Sequence, residues 1–217
     1  MRLALAAYAA AGLLLALTAV FPEIDLTVSG WFYVPGPEQG FVWKNWPLFR
    51  FILRDMPPIL LGFAALLTVW ALVGAKLKTG LPVLSQKASL FLASSLALGP
   101  GFLVNWLLKE HWGRARPSQI VEFGGTAHYT PPFVVADQCV SNCSFSSGHG
   151  ALGFWVIALA LLAPPRWRTA AVLAALGFGC LVGLTRIAQG GHFLSDTLFS
   201  ALAVIAITLG LRRVILR

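Results

Sequence analysis

Charge is scarce in this chain. Of its 217 residues only 16 are Lys or Arg and 8 are Asp or Glu, 11% in all. A soluble globular domain carries about 25%, so that class is excluded. Cysteine is scarce too. Three residues rule out a disulfide-dense scaffold, which needs more than about 8%. There are no internal repeats and no low-complexity tail, which removes solenoids and disordered arms. No carboxylate cluster and no H-E-x-x-H pattern occurs, so the usual sequence marks of magnesium and zinc sites are missing. No metal and no cofactor is expected. No nucleic-acid motif is present either, and the net charge of +8 finds its explanation elsewhere.

Hydrophobic residues are abundant instead, at 58% of the chain, with a mean hydropathy of +0.78. Six apolar runs recur, at 3–21, 57–75, 88–108, 149–163, 169–185 and 193–211. A spanning helix needs about 20 such residues, and backbone groups in lipid must pair within the helix. The expectation is an all-α, six-transmembrane-helix bundle formed by one domain, 1–217. A cleaved signal peptide competes for the first run, but the apolar stretch exceeds the roughly 7–15 residues of a signal core.

Basic residues orient the bundle. Arg2, Lys76, Lys78, Lys87, Arg166, Arg168, Arg212, Arg213 and Arg217 fall on one set of connections, with no acidic residue among them. That set is expected to face the cytoplasm. All the acidic residues lie on the opposite set, beside Lys44, Arg50, Arg54, Lys109, Arg114, Arg116 and Arg186. The positive charge is mostly topology. Cys139 and Cys143 lie on the outer side, where an oxidising compartment favours a disulfide; two free thiols or half a metal site are the other readings. A loop rich in Trp and Phe precedes a stretch near 43–55 that suits a short helix on the bilayer surface.

Polar residues gather at three span edges on that outer side. The segments are "KEHWGRARP" from Lys109, "CSFSSGHG" from Cys143, and "TRIAQGGHFLSD" from Thr185. Ionisable residues at a membrane boundary are a functional hypothesis by default. Lys109, Arg116 and Arg186 offer cations suited to phosphate oxygens. Ser147 and Gly148 fall at a predicted helix N-terminus, where free amides and the dipole attract an anion. His192 and Asp196 are four apart, on one helical face. A carboxylate on one imidazole nitrogen would leave the other free to attack phosphorus. His149 would serve as general acid. Gly190 and Gly191 would let the chain turn between Arg186 and His192. Taken alone, R-x5-H-x3-D is a weak signal, since a His and an Asp four apart arise often by chance. Three such segments on one side are much harder to reach by chance.

These segments resemble the type 2 phosphatidic acid phosphatase family, which is also the vanadium haloperoxidase superfamily. K-x6-R-P appears as Lys109 to Arg116 and Pro117, P-S-G-H as Ser146 to His149, and S-R-x5-H-x3-D as Thr185 to Asp196. Ser146 replaces proline and Thr185 replaces serine, and neither change removes a charge or a proton carrier. The resemblance implies a metal-independent lipid phosphatase that forms a phosphohistidine on His192. Asp196 orients it and His149 is the acid. Lys109, Arg116, Ser147, Gly148 and Arg186 hold the phosphate. "FPEIDLTVSGWFY", "PPFVVADQCVSNCSF" and "QGGHFLSD" are further similar to bacterial members that remove the 4′-phosphate of lipid A on the periplasmic face of the inner membrane. The partners so implied are the bilayer and a phosphorylated lipid, with lipid A first. Undecaprenyl diphosphate, phosphatidylglycerophosphate and phosphatidate are the alternatives, as is transfer of the phosphoryl group to another lipid. A vanadate-dependent oxidase is disfavoured in so small a membrane chain. A lipid carrier would not need His149, His192 and Asp196 together. The motifs do not set an oligomeric state.

Four further readings complete the survey. Arg114 is either a contact to sugar or phosphate or a solvated loop residue. His111 and His128 are loop residues. Trp106 and Trp112 are interface or core aromatics. Asn105 is assigned to helix packing in preference to a hydrogen bond with the site.

Overall fold

The computed structural model describes residues 2–36, 40–77 and 84–217. Lys78 and Glu38, two charges in the topology count, lie outside the described residues. α1 (Arg2–Val20) and α2 (Glu23–Gly30) meet at a bend of 107°. Pro22 sits in that bend, and its ring and missing N–H end a helix. An antiparallel hairpin follows, β1 (Tyr33–Val34) with β2 (Gly40–Phe41). It is a small departure from the all-helical expectation. Next come α3 (Pro47–Arg54), α4 (Met56–Leu77), α5 (Gln86–His111), α6 (Gly148–Leu161), α7 (Pro165–Ala188) and α8 (Leu194–Ile215).

Each apolar run is helical, but the helices differ in reach. α5, α7 and α8 are long and apolar enough to cross a bilayer. Counting the bent pairs α1–α2 and α3–α4 as single spans raises the number to five. α6 is shorter, as its run of apolar residues is short. These helices make the chain a membrane protein. α7 exceeds the predicted 169–185 at both ends. Pro165 opens it in the first turn, where a missing N–H costs nothing, and Arg186 extends it because a buried partner holds the charge. The expected short helix near 43–55 is α3. Its Phe49 packs with Trp43 and Trp46 just before it, and it meets α4 at 43°.

α5 carries Pro100 in its interior and widens into π-helical turns over Ala97–Leu108. Such turns absorb a residue that cannot donate. Asn105 Nδ2 donates to the Pro100 carbonyl at 2.7 Å, a side-chain bond back to the backbone within these widened turns. The core joins Phe91, Leu92 and Val104 of α5 with Leu152 and Trp155 of α6, Val182 of α7 and Val204 of α8. Trp155 reaches across to donate to Ser95 Oγ at 3.0 Å. Small residues let α6, α7 and α8 approach closely. A Cβ on Gly179 would strike the Phe154 ring, and one on Gly183 would strike Thr197. Leu5, Leu66, Trp106 and Leu184 face outward, as apolar side chains do against lipid.

Candidate active site

The three polar segments meet at one end of the bundle. Lys109 ends α5, Ser147 caps α6, Arg186 lies in the last turn of α7 and Asp196 in the first turn of α8. The loop from 112 to 147 folds over them. It is pinned by Cys143 N–H to the Lys109 carbonyl at 3.0 Å, Ser144 N–H to the Arg114 carbonyl at 2.8 Å, and Ser118 N–H to the Gly190 carbonyl at 3.0 Å. Cys139 and Cys143 are joined in a disulfide within this loop. Gly190 turns the chain between Arg186 and His192 at φ +66°. That backbone favours glycine, and a Cβ there would also strike the Phe41 ring.

His192 is fully buried. Its Nδ1 lies 2.7 Å from the Ser144 carbonyl. A carbonyl only accepts, so Nδ1 carries the hydrogen and Nε2 carries the lone pair. Nε2 is buried with no partner in the protein. The expected direct hold by Asp196 differs from what is found, because Asp196 Oδ2 is 3.7 Å from Nδ1. Asp196 is occupied otherwise. It accepts from Arg114 Nη1 at 2.6 Å, from Ser144 Oγ at 2.6 Å and from the Phe193 amide at 2.8 Å. The last bond caps α8 from its third residue. Ser144 thus aims the ring with its carbonyl and braces Asp196 with its hydroxyl. Burial pushes the His192 imidazole down to about 3, against the pull of Asp196, so the ring is neutral at working pH.

The cations stand around this ring. Lys109 is within electrostatic range of Arg116, Arg186 and Asp196, and His192 is within range of Arg186 and Lys109. Arg116 donates to the Asn142 carbonyl at 2.6 Å, and burial lowers its pKa. Arg186 donates through Nη1 to Gln189 Oε1, while its Nε is buried without a partner. Gln189 in turn donates to the Phe49 carbonyl at 3.0 Å, which ties Arg186 to α3. Ser147 Oγ accepts from the Gly150 amide at 3.2 Å as the N-cap of α6. Gly148 lies so close to Asn105 that a Cβ would meet the amide oxygen. His149 Nε2 donates to the Leu53 carbonyl of α3 at 3.0 Å, which leaves Nδ1 without that tie. His149 is within electrostatic range of Arg186, Lys109 and Arg116. All eight expected site residues gather here.

Arg114 corrects both readings made of it. It is neither solvated nor exposed to a ligand, but fully buried. Its five N–H donors are used: Thr130 carbonyl 2.8 Å, Ser195 Oγ 2.8 Å, Asp196 Oδ1 2.6 Å, Asp25 Oδ2 2.8 Å and Tyr129 OH 3.5 Å. A charge taken out of water needs such pairing. Burial works against the guanidinium, yet Asp196 and Asp25 outweigh it and hold it above its ordinary range. Asp25, Ser144 and Gln189 were missed from the sequence. Asp25 lies 89 positions from Arg114, and no spacing announces such a pair. Asn105 packs against Gly148 of α6, as expected, and its side-chain amide donates within α5 to the Pro100 carbonyl. His111 and His128 are exposed loop-side residues.

A cleft of about 390 Å³ opens between α4, α5 and α6. Its polar end is formed by Asn105, Lys109, Gly148 and His149, and its walls by apolar residues such as Leu61 and Leu96.

Residues 88–217, more than half of the chain, match the model of the PAP2 superfamily. The chain belongs to the PAP2 superfamily. Together with the relatives that follow, this makes it a phosphatase. It is similar to the lipid A 4′-phosphatase of Francisella tularensis subsp. novicida, 36% identical over 193 residues, with 85% of this chain and 83% of that protein covered. It is also similar to the lipid A 4′-phosphatases of Rhizobium leguminosarum, at 35% with 91% of each chain covered, and of Rhizobium etli, at 34% with 91% and 82% covered. No solved structure matches the chain.

Proposed function

We propose that this PAP2 phosphatase removes the 4′-phosphate of lipid A on the periplasmic face of a bacterial inner membrane, through a phosphohistidine. One observation carries the reaction. His192 holds its proton on Nδ1 against the Ser144 carbonyl and keeps Nε2 free, amid Lys109, Arg116 and Arg186. Nε2 attacks phosphorus, and the P–N bond forms as the P–O bond to the sugar breaks. The leaving oxygen takes a proton from Nδ1 of protonated His149, whose Nε2–H stays on the Leu53 carbonyl. Lys109, Arg116, Arg186, the Ser147 hydroxyl and the Gly148 amide stabilise the equatorial oxygens. Water, deprotonated by His149, then attacks the phosphohistidine. Inorganic phosphate leaves and His192 is restored. The chain's own residues carry each step, without metal.

The substrate reading draws on the relatives' names and on the cleft, whose apolar walls suit acyl chains beside a polar end. Six spans in one domain, 1–217, with α6 tilted or extended by its neighbours, fit the apolar runs. That layout puts the nine acid-free basic positions in the cytoplasm and the site in the periplasm.

Expression in a Gram-negative host, beside the His192→Ala variant, tests this. Lipid A is extracted and weighed by mass spectrometry with fragmentation. The expected result is loss of one phosphate from the non-reducing sugar with the wild type only. Unchanged lipid A, with phosphate released from undecaprenyl diphosphate, phosphatidylglycerophosphate or phosphatidate, would replace the substrate and keep the chemistry. A second lipid carrying the label would mark a phosphotransferase.

A further inference from the structure

Behind His192 lies a buried charge cluster that the reaction above uses only through Asp196. Arg114 bridges Asp196 and Asp25, and all three side chains are fully buried. On its own, a guanidinium 2.6 Å from Asp196 would cancel that carboxylate as felt from the ring. Asp25 changes the sum, because two carboxylates and one guanidinium leave a net negative charge. Its oxygens meet only donors: Arg114 Nη2 at 2.8 Å, the Ser195 amide at 2.9 Å and the Ser195 hydroxyl. Burial and the nearby Asp196 work against the ionised acid, and the Arg114 guanidinium and the Ser195 hydroxyl work for it. Burying a second carboxylate is costly, and Asp196 alone would suffice to neutralise Arg114.

The reaction supplies a use for it. As Nε2 bonds to phosphorus, the imidazole becomes cationic. Lys109, Arg116 and Arg186 welcome the phosphate but oppose that new charge. A net anion on the Nδ1 side offsets the opposition. We infer that Asp25 is a positioning residue for phosphoryl transfer, acting through Arg114 and Asp196 to keep a net negative charge behind His192. The inference rests on His192 being the nucleophile. It also gives α2, upstream of the residues matched to the family, a part in the chemistry: Asp25 holds Ser195 in the first turn of α8.

The test uses the full chain in detergent: wild type, Asp25→Asn, Ser195→Ala and His192→Ala. The substrate is lipid A bearing both phosphates, or phosphatidate if lipid A is not turned over. Asp25→Asn is expected to lower kcat about 10- to 100-fold, with KM and half-inhibition by vanadate within about threefold of wild type. The ground-state phosphate site is then intact and only the charged transition state has suffered. Asp25→Asn at wild-type kcat would overturn the inference, as would a fall in kcat matched by an equal loss of vanadate binding. If Asp25→Asn does not yield folded protein, Ser195→Ala decides, since it keeps every charge and removes the hydroxyl that joins Asp25 to Arg114. A loss of about 3- to 10-fold at unchanged vanadate inhibition supports the role, and unchanged kcat removes it. Activity in His192→Ala would sink the nucleophile reading itself, whereas an inactive His192→Ala beside a fully active Asp25→Asn sinks only this inference.

Discussion

The two sides of the His192 ring are built differently. On the Nδ1 side, Asp196, Arg114, Asp25, Ser144 and Ser195 exchange hydrogen bonds until the guanidinium and both carboxylates are satisfied. On the Nε2 side, His192 Nε2 and Arg186 Nε are buried with no protein partner, and three cations stand within range of one another. A paired cluster holds a shape without help. An unpaired one is expensive in the free protein, because buried polar groups lose their water. The first is a support, and the second is arranged for an anionic guest. The contrast also explains why the loop from 112 to 147 is so heavily pinned. It closes the paired side from above.

Variants on the unpaired side should lose activity and keep the fold, while removing the central cation of the paired side should cost stability. The largest effect is expected from His192→Asn, which keeps a donor for the Ser144 carbonyl but offers no nucleophile. kcat should fall about 10⁴-fold or more, measured as phosphate release. A residual rate within tenfold would break the contrast at its centre. Arg114→Met comes next, leaving two buried carboxylates without their cation. Stability should drop by about 3–5 kcal/mol, seen as a lower midpoint of thermal unfolding in detergent. A midpoint equal to wild type would mean that the cluster does not hold the loop. Arg186→Lys keeps the charge but loses the planar fork. It should cost about 100-fold in kcat/KM, with an unfolding midpoint close to wild type.

The smallest effect concerns pH. His192 is held down to about 3 in the folded protein against an ordinary 6.5. The unfolded chain therefore binds the proton first as pH falls. The stabilisation is complete above about 6.5 and is lost towards 3, by about 1.4 kcal/mol per pH unit. Wild type should lose stability more steeply than His192→Asn between pH 6.5 and 5. Parallel slopes would show that the ring is wetter than its burial implies.

Much of this could be read early because it is local. Apolar runs of helical length found the helices, though Pro165 opens α7 ahead of the expected 169. Ser147 was read at a helix N-terminus, and the structure makes it the cap there. Gly190 announced a turn. Where the expectation departed, the cause was a long-range partner. Asp196 was expected on one ring nitrogen because four-residue spacing puts the two on one face. The Ser144 carbonyl, 48 positions away, took that place at shorter range. Arg114 was expected near solvent or substrate because Asp25 was invisible as its partner.

The sequence alone determined that the chain is helical and apolar, which residues carry charge, and that three polar segments lie at helix ends. Those properties follow from composition and from spacing along one helix. Only the tertiary structure decided which nitrogen of His192 is free, which backbone carbonyl aims it, and that Arg114 points inward between two carboxylates. Such choices depend on contacts across as many as 170 positions. They are settled by burial, because a polar group removed from water bonds to whatever the packed chain brings within reach.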